Sequence, residues 1–235
     1  MFLLWQGYLN SRYTITVGAV GKNSLHASYS STGPAALFVS GPGGDVEFAS
    51  NHMTAEVGGG CTDAYIGTSY AAPAVSGGIA LMLEKRPALT WRDVQGILAK
   101  TSRKVELSDP DWTTNSAGFS HNPKYGFGIM DVYNAVQEAE TWELWGDEQS
   151  ETKASGTIDL EIPDDDPEGV TSTITMDGFF PFTESVVVKL NVVRQIMMLV
   201  GWSLVCRSSG VSDLFSRRNF PLNRITLQGV TSGLS

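Results

Sequence analysis

The sequence is poor in cysteine and histidine and contains no long apolar run. Its 235 residues include two cysteines, Cys61 and Cys206, and three histidines. Two cysteines exclude the disulfide framework of a small secreted domain. The most apolar stretch in the second half of the chain is residues 196–205. A membrane-spanning helix needs roughly 20 residues, about twice that length. Residues 1–9 lack the basic leader and small-residue cleavage site of a signal peptide, so neither a membrane span nor a signal peptide is predicted.

Charge divides the chain into three blocks. Residues 1–137 contain nine Lys and Arg against ten Asp and Glu. Residues 138–191 contain two against fourteen, and residues 192–235 contain five against one. Blocks of one sign are typical of solvated linkers and tails. The arginines of the last block are scattered, so nucleic acid is not predicted as a partner.

A serine at the start of a small-residue helix is the most informative feature. Residues 67–73 read Gly-Thr-Ser-Tyr-Ala-Ala-Pro, and Ser76 is the one polar side chain among residues 71–83. This composition predicts a central, buried helix. The first turn of a helix carries unpaired N–H groups and the positive end of the helix dipole, which would stabilise an oxyanion beside Ser69. Ser69 is therefore the candidate nucleophile and its own N–H a candidate oxyanion donor, although serine at a helix start is also a common cap.

Short strands and further helices accompany this motif. Residues 13–20, 36–39 and 45–48 are apolar-rich and separated by Gly or Pro, which predicts strands. Thr90 and Asp93 form a capping box that opens a helix over residues 91–100. Asp131 is predicted to cap another helix that continues to residue 140. Strands alternating with helices predict an α/β sheet whose ligands bind at the carboxyl ends of its strands.

The serine motif and its flanking segments resemble the subtilisin-like proteases. The segments that carry the resemblance are residues 13–20, 27–31, 39–44, 67–83, 89–95 and 125–131. The last two resemble the kexin and furin branch in particular. The match covers about residues 7–140 and implies that residues 1–140 are the C-terminal part of a parallel-sheet α/β catalytic domain. It also implies that Ser69 is the nucleophile of an acyl-enzyme mechanism.

The resemblance also implies groups that this sequence does not contain. In the family the triad follows the order Asp, His, Ser, and neither the Asp nor the His motif precedes Ser69, nor does the oxyanion asparagine. A substrate-binding Asp of the branch has Gln6 at its position, which leaves two explanations open, altered specificity or a misplaced start, since residues 1–6 match nothing in the family. The family glutamate that binds calcium near Ala27 is absent, so calcium is implied by the family alone and no cofactor or metal ligand is predicted here. We expect a fragment that is nearly inactive and poorly soluble by itself.

Cys61 has a partner in the furin-like branch, a cysteine near Tyr29, which this chain lacks. The resemblance therefore predicts that Cys61 is a free, buried thiol. It further implies protein or peptide substrates and a secretory-pathway or extracellular location. It leaves the oligomeric state open.

Other interpretations of the serine stay open. A histidine of this chain could act as the base, but all three lie in polar loops that predict surface positions: His26, His52 and His121. In the α/β-hydrolase order of serine, acid and histidine, Asp93 or Asp109 could act with His121. That fold needs an apolar strand before the serine, whereas residues 58–60 are three glycines. A non-catalytic fragment or pseudoprotease that only binds a partner is the remaining alternative.

The sequence changes character after residue 140. An acidic linker is predicted over residues 141–156. Residues 157–191 resemble the start of the P domain, the all-β sandwich that follows the catalytic domain in kexin-like enzymes, with a strand at 185–191. Residues 164–166, three consecutive aspartates, are interpreted as a turn rather than a calcium site. Residues 192–235 match nothing and show neither strand nor helix periodicity, which we interpret as sequence from a frame change, unspliced message or truncated gene.

Overall fold

The structure of the protein is a computed structural model, and the chain divides into two compact units. The structure describes residues 9, 11–32, 37–46, 52–63, 65–115, 117–157, 170–174, 182–184, 200–207, 212–213 and 224–231. Unit 1 spans Met1–Asp147 and unit 2 spans Glu148–Ser235. The division lies within the stretch predicted as an acidic linker. The three aspartates at 164–166 and the predicted strand at 185–191 lie outside the described residues.

Two parallel strands form the centre of unit 1. Strand β1 (Thr16–Val20) pairs with β2 (Leu37–Pro42), and their register is regular from Val17 with Val39 onward. Parallel strands need cover on both faces. On one face Ala19 packs with Ala27 and Ala71. The opposite face is covered by a cluster that includes Val20, Val105 and Tyr125.

Three helices complete unit 1: α1 (Thr68–Lys85), α2 (Trp91–Thr101) and α3 (Val132–Thr141). The predicted capping box is confirmed, because Thr90 Oγ1 accepts from the Asp93 N–H at 3.2 Å and the Asp93 carboxylate accepts from the Thr90 N–H at 2.8 Å. Asp131 caps α3 by accepting from the Asn134 N–H at 3.0 Å. Both helix starts were therefore readable from the sequence.

Helix α1 is less buried than its composition predicts. Its buried residues form one stripe: Ala71, Val75, Gly78 and Met82. On other sides Leu81 and Leu83 are 49% and 39% exposed. The prediction of a helix buried all round is wrong for the described chain, because two strands and α3 cover a single face of it.

Helix α1 also begins three residues before the apolar stretch 71–83. Pro73 therefore lies in the second turn of the helix rather than the first. Proline has no N–H, so the carbonyl of Ser69 lacks the donor that residue i+4 normally supplies.

Two short hairpins lie at the edges of unit 1. Strand β3 (Thr54–Ala55) pairs with β4 (Cys61–Thr62), and β5 (Thr113–Thr114) pairs with β6 (Ser120–His121). Cys61 is exposed, so the prediction of a buried thiol is wrong, because both strands of its hairpin are exposed or half-buried. Residues 45 and 46 are not in a strand, which contradicts the start of the strand predicted at 45–48; residues 47 and 48 lie outside the described part.

The described part of unit 2 is all β. Its strands are β7 (Val170–Ile174), β8 (Phe182–Thr183), β9 (Val200–Arg207), β10 (Ser212–Asp213) and β11 (Arg224–Thr231). Strand β11 pairs antiparallel with both β7 and β9, and β10 pairs parallel with β8.

The prediction that residues 192–235 lack strand periodicity is wrong. Within β9 the apolar residues Val200, Trp202, Leu204 and Cys206 alternate with Gly201, Ser203 and Arg207, with Val205 as the exception. This period of two was hidden because the preceding residues, 196–199, are apolar without alternation. The origin of the tail stays a prediction.

Candidate active site

Ser69 lies in the first turn of α1 with its side chain exposed. The helix is capped by Gly67 at φ 142°, a backbone conformation that favours glycine. The Gly67 N–H donates to the Gly43 carbonyl at 2.9 Å, and Gly43 directly follows strand β2. Ser69 therefore lies at the carboxyl ends of the parallel strands, the edge at which ligands of such sheets bind.

Two glycines allow the helix to approach the strands closely. A Cβ atom on Gly43 would lie 2.6 Å from the Cβ of Ala19 and 2.9 Å from the Gly67 carbonyl oxygen. A Cβ on Gly41 would lie 2.9 Å from the Ala71 carbonyl oxygen. These distances are too short for real contacts, so the Gly-Pro-Gly loop at 41–43 sets the depth at which the start of α1 docks.

Tyr29 holds the same loop in place through two hydrogen bonds. Its hydroxyl oxygen lies 2.8 Å from the Gly43 carbonyl and 2.7 Å from the Gly44 carbonyl, and it donates to them. Burial raises the pKa of Tyr29, so the hydroxyl keeps its proton at neutral pH. Sequence reasoning did not single out Tyr29 as a site residue, and the only signal was its place within the matching segment 27–31.

The start of α1 leaves a donor unused. The Tyr70 N–H donates to the Gly67 carbonyl at 3.0 Å, whereas the N–H of Ser69 has no acceptor among the described residues. No acidic side chain lies in the first turn, so nothing there neutralises the positive end of the helix dipole. The exposed Oγ of Ser69 thus stands beside an unpaired N–H, the arrangement that stabilises an oxyanion formed on a nucleophilic serine.

An aromatic pair flanks the serine. The rings of Tyr65 and Tyr70 stack with centroids 6.1 Å apart and an interplanar angle of 11°. Tyr65 is 52% exposed. The pair forms an accessible apolar wall next to Ser69.

His121 is far from the serine. It is buried, with 4% exposure, and its Nε2 lies 3.0 Å from the Leu37 carbonyl oxygen. Leu37 opens β2 and Gly43 follows its end, a separation of six residues or about 20 Å at roughly 3.3 Å per residue. The surface position predicted for His121 is therefore wrong, and a general base must lie within about 3 Å of the hydroxyl or one water away.

The other histidines also make no hydrogen bond to Ser69 in the described structure. His26 donates its backbone N–H to the Tyr125 hydroxyl at 3.0 Å. The pKa of His26 is lowered by burial and next by the charge of Lys124, so its ring is neutral at pH 7. The Nε2 atoms of His26 and His52 are shielded from water without a hydrogen-bond partner in the described part of the chain. Both are half-buried, which corrects the prediction of surface positions.

The two candidate acids of the hydrolase interpretation have other partners. Asp93 Oδ1 accepts from Trp142 Nε1 at 3.0 Å. Asp109 accepts from Asn122 Nδ2 at 3.1 Å and forms a salt bridge with Lys124. Their described hydrogen bonds involve no histidine, so the structure does not assemble that triad.

No metal or membrane site is found in the described residues. No group of three or more His, Cys, Asp or Glu side chains is placed to hold a metal ion there. None of the described helices is long and apolar enough to span a bilayer.

Comparison with known proteins agrees with the geometry. The Subtilase family matches residues 8–128. Human proprotein convertase subtilisin/kexin type 7 is 43% identical over 141 residues, which are 59% of this chain and 18% of that protein. Kexin of Saccharomyces cerevisiae is 36% identical over 140 residues, 59% of this chain and 17% of kexin. The chain thus spans about a fifth of the length of these relatives.

A solved structure shows the same fold. The serine protease of Aeromonas sobria superposes with a TM-score of 0.69 at 18% identity, over 91% of this chain and 50% of that one. The subtilisin-like α/β fold is therefore shown by structure, and the family by the match over half of the sequence. With Ser69 of its Gly-Thr-Ser motif at the carboxyl edge of the parallel strands, the chain belongs to the subtilase family.

Proposed function

We propose that this protein is part of a serine endopeptidase of the kexin and furin type, in which Ser69 attacks the scissile carbonyl and forms an acyl-enzyme. One observation carries the proposal: an exposed serine hydroxyl lies beside an unpaired N–H at the start of α1, at the carboxyl ends of the strands. The tetrahedral oxyanion would accept from the Ser69 N–H, with the dipole of the 18-residue helix behind it.

The base and its orienting acid come from polypeptide outside this sequence. No described histidine reaches Ser69, and the serine lies open to solvent, which leaves room for such groups. Loss of triad members leaves a subtilisin with only the modest rate enhancement of oxyanion stabilisation and binding. The present chain alone is therefore nearly inactive.

The whole protein acts on proteins or peptides in the secretory pathway or outside the cell, by analogy with the convertases that it resembles. Calcium is a cofactor of such enzymes by family resemblance, and no ligand for it is assigned in the described residues. Residues 157–191 begin a P domain. Two described strands of this segment, β7 and β8, support an all-β unit there.

A chimera tests the role of Ser69. Residues 8–147 replace the matching segment of human convertase type 7, and the product is treated with a fluorescent fluorophosphonate and with a peptide substrate. We expect labelling and cleavage by the chimera, and neither from its Ser69→Ala variant. The chain of 235 residues alone is expected to remain unlabelled.

Two results would contradict the proposal in different ways. Labelling of Ser69 in the isolated chain would show that a base exists within it. A folded chimera that is neither labelled nor active would identify the chain as a non-catalytic binding module.

A further inference from the structure

We infer that unit 1 carries a binding site for an acidic peptide, separate from the serine. The site is a crevice of about 340 Å³ next to the second turn of α1, which we call the basic crevice. Two of its lining side chains, Lys22 and Arg103, are positively charged and come from separate segments, and His52 lines the crevice from a third segment. Among the described residues that line it, none is acidic.

Arg103 is held in place by its backbone. Its N–H donates to the Ile129 carbonyl at 2.8 Å, and its carbonyl accepts from the Ile129 N–H at 3.0 Å. The residue itself is exposed, and no described carboxylate forms a salt bridge with its guanidinium. Its planar guanidinium can bind a carboxylate through two parallel hydrogen bonds.

His52 supplies a second polar group. Its Nε2 is shielded from water and has no hydrogen-bond partner in the part of the chain that the structure describes. The basic crevice therefore offers the charges of Lys22 and Arg103 to an incoming ligand, with His52 as a further polar lining residue.

The walls of the basic crevice are apolar. They include Ala74 and Val75 of α1 and Met130 from the segment before α3. A volume of this size falls within the usual range of ligand pockets, which combine apolar walls with a few polar groups. The chemistry that fits is an acidic side chain beside an apolar one, as in an extended peptide.

The basic crevice and the serine are distinct. Ala74 is five residues after Ser69, about 7.5 Å along the helix axis at 1.5 Å per residue. No group of the crevice is needed for attack by Ser69, so binding can be measured without catalysis. Failure of this inference is therefore distinguishable from failure of the proposed function.

Fluorescence anisotropy tests the site with the full chain. The probe is a fluorescein-labelled hexapeptide that alternates leucine and glutamate, and the comparison peptide carries glutamine in place of each glutamate. We expect the glutamate peptide to bind more tightly at low salt and to weaken as sodium chloride is raised. Arg103→Gln and, independently, Lys22→Gln should each weaken binding about fivefold, the scale of one partly exposed ion pair.

The matched control is Lys104→Gln. It removes the same charge one residue away, where Lys104 lies over the Trp112 ring and donates to Ser120 rather than lining the crevice. This variant should change the affinity less than twofold. If Lys104→Gln weakened peptide binding as much as Arg103→Gln, the effect would be one of net charge, and the inference would be overturned. Equal affinity for the glutamine peptide and the glutamate peptide would also overturn it.

Discussion

Asp93 joins two parts of unit 1 through one carboxylate, the start of α2 and the segment that follows α3. Its Oδ2 accepts from the Thr90 N–H at 2.8 Å and from the Thr90 hydroxyl at 2.7 Å. Its Oδ1 accepts from Trp142 Nε1 at 3.0 Å and from the Trp145 N–H at 2.9 Å. The side chain is fully buried. One carboxylate therefore caps α2 and also anchors the segment that follows α3.

Burial and hydrogen bonding shift the pKa of Asp93 in opposite directions. Burial alone would raise the pKa of the carboxyl, but the hydrogen bonds from Trp145, Thr90 and Trp142 outweigh burial and lower it below its ordinary value of 3.8. A group whose pKa is lower in the folded state binds its proton more readily when unfolded. Its contribution to stability is complete above about pH 4 and is lost as the pH falls toward the folded pKa.

Replacement of the Asp93 carboxylate should destabilise the folded protein. Asp93→Asn presents an NH₂ group to donors, and we expect the free energy of unfolding to fall by about 2 kcal/mol at pH 7. The difference between variant and parent should shrink below about pH 4 as Asp93 becomes protonated. Urea denaturation between pH 2 and pH 7 measures both effects.

The same change at Asp131 is the control. Asp131 caps α3 near the surface, and asparagine caps helices about as well as aspartate. Asp131→Asn should therefore cost less than about 0.5 kcal/mol. A loss at position 93 no larger than this, or one independent of pH, would show that the buried carboxylate does not anchor the segment.

The elements of unit 1 were predictable where a local signal fixes them. The capping box at Thr90 and the cap at Asp131 were readable because the residues that satisfy the first N–H groups lie within three positions of each other. The start of α1 was harder to place. Its cap is Gly67 without a side-chain hydrogen bond, so no capping side chain marks the residue at which the helix begins.

The site was predictable in part for the same reason. The Gly-Thr-Ser motif located Ser69 at a helix start, but the supports of that helix are distant in sequence. Tyr29 reaches Gly43 across 14 positions, and His121 meets Leu37 across 84. Such contacts depend on how the elements pack, which local periodicity does not encode.

Two glycines in helices should respond oppositely to the same substitution. A Cβ on Gly96 of α2 would lie 2.5 Å from the Trp145 ring and 2.8 Å from the Trp142 ring, whereas a Cβ on Gly77 of α1 meets nothing within 4 Å. Gly96→Ala should destabilise the protein by about 1–3 kcal/mol because it overpacks two rigid rings. Thermal denaturation followed by circular dichroism measures the change.

Gly77→Ala should stabilise the protein, the opposite of the effect expected for Gly96→Ala. Alanine favours helix over glycine by up to about 1 kcal/mol where space allows, so this variant should raise the melting temperature. If both substitutions shifted the transition in the same direction, the packing of the two tryptophans against α2 would not be the source of the effect.

At the scale of the whole molecule, the boundary between the two units along the chain lies in a stretch without regular structure. Residues 142–157 contain no helix or strand. The part of this stretch up to residue 145 is anchored to α2, because the Trp145 N–H donates to Asp93 Oδ1. From residue 146 to residue 150 every residue is exposed. Exposed segments without secondary structure are preferred sites of proteolytic cleavage.

Brief digestion with a glutamate-specific protease should therefore cut first at Glu148. Intact-mass spectrometry should then show a persistent fragment that contains α1, α2 and α3. Glu84 and Glu140, which lie in helices, are the internal comparison. Earlier cleavage at either of these would mean that unit 1 opens before the segment between the units is cut.

The pair of tryptophans also has a consequence for anyone who divides or grafts this protein. The family match ends at residue 128, and a boundary drawn there, or at the end of α3, lies before Trp142. Such a cut would remove both rings that cover Gly96 and two of the donors that serve the Asp93 carboxylate. A transplanted catalytic segment must therefore extend through Trp145, because its last structural layer lies beyond its last helix.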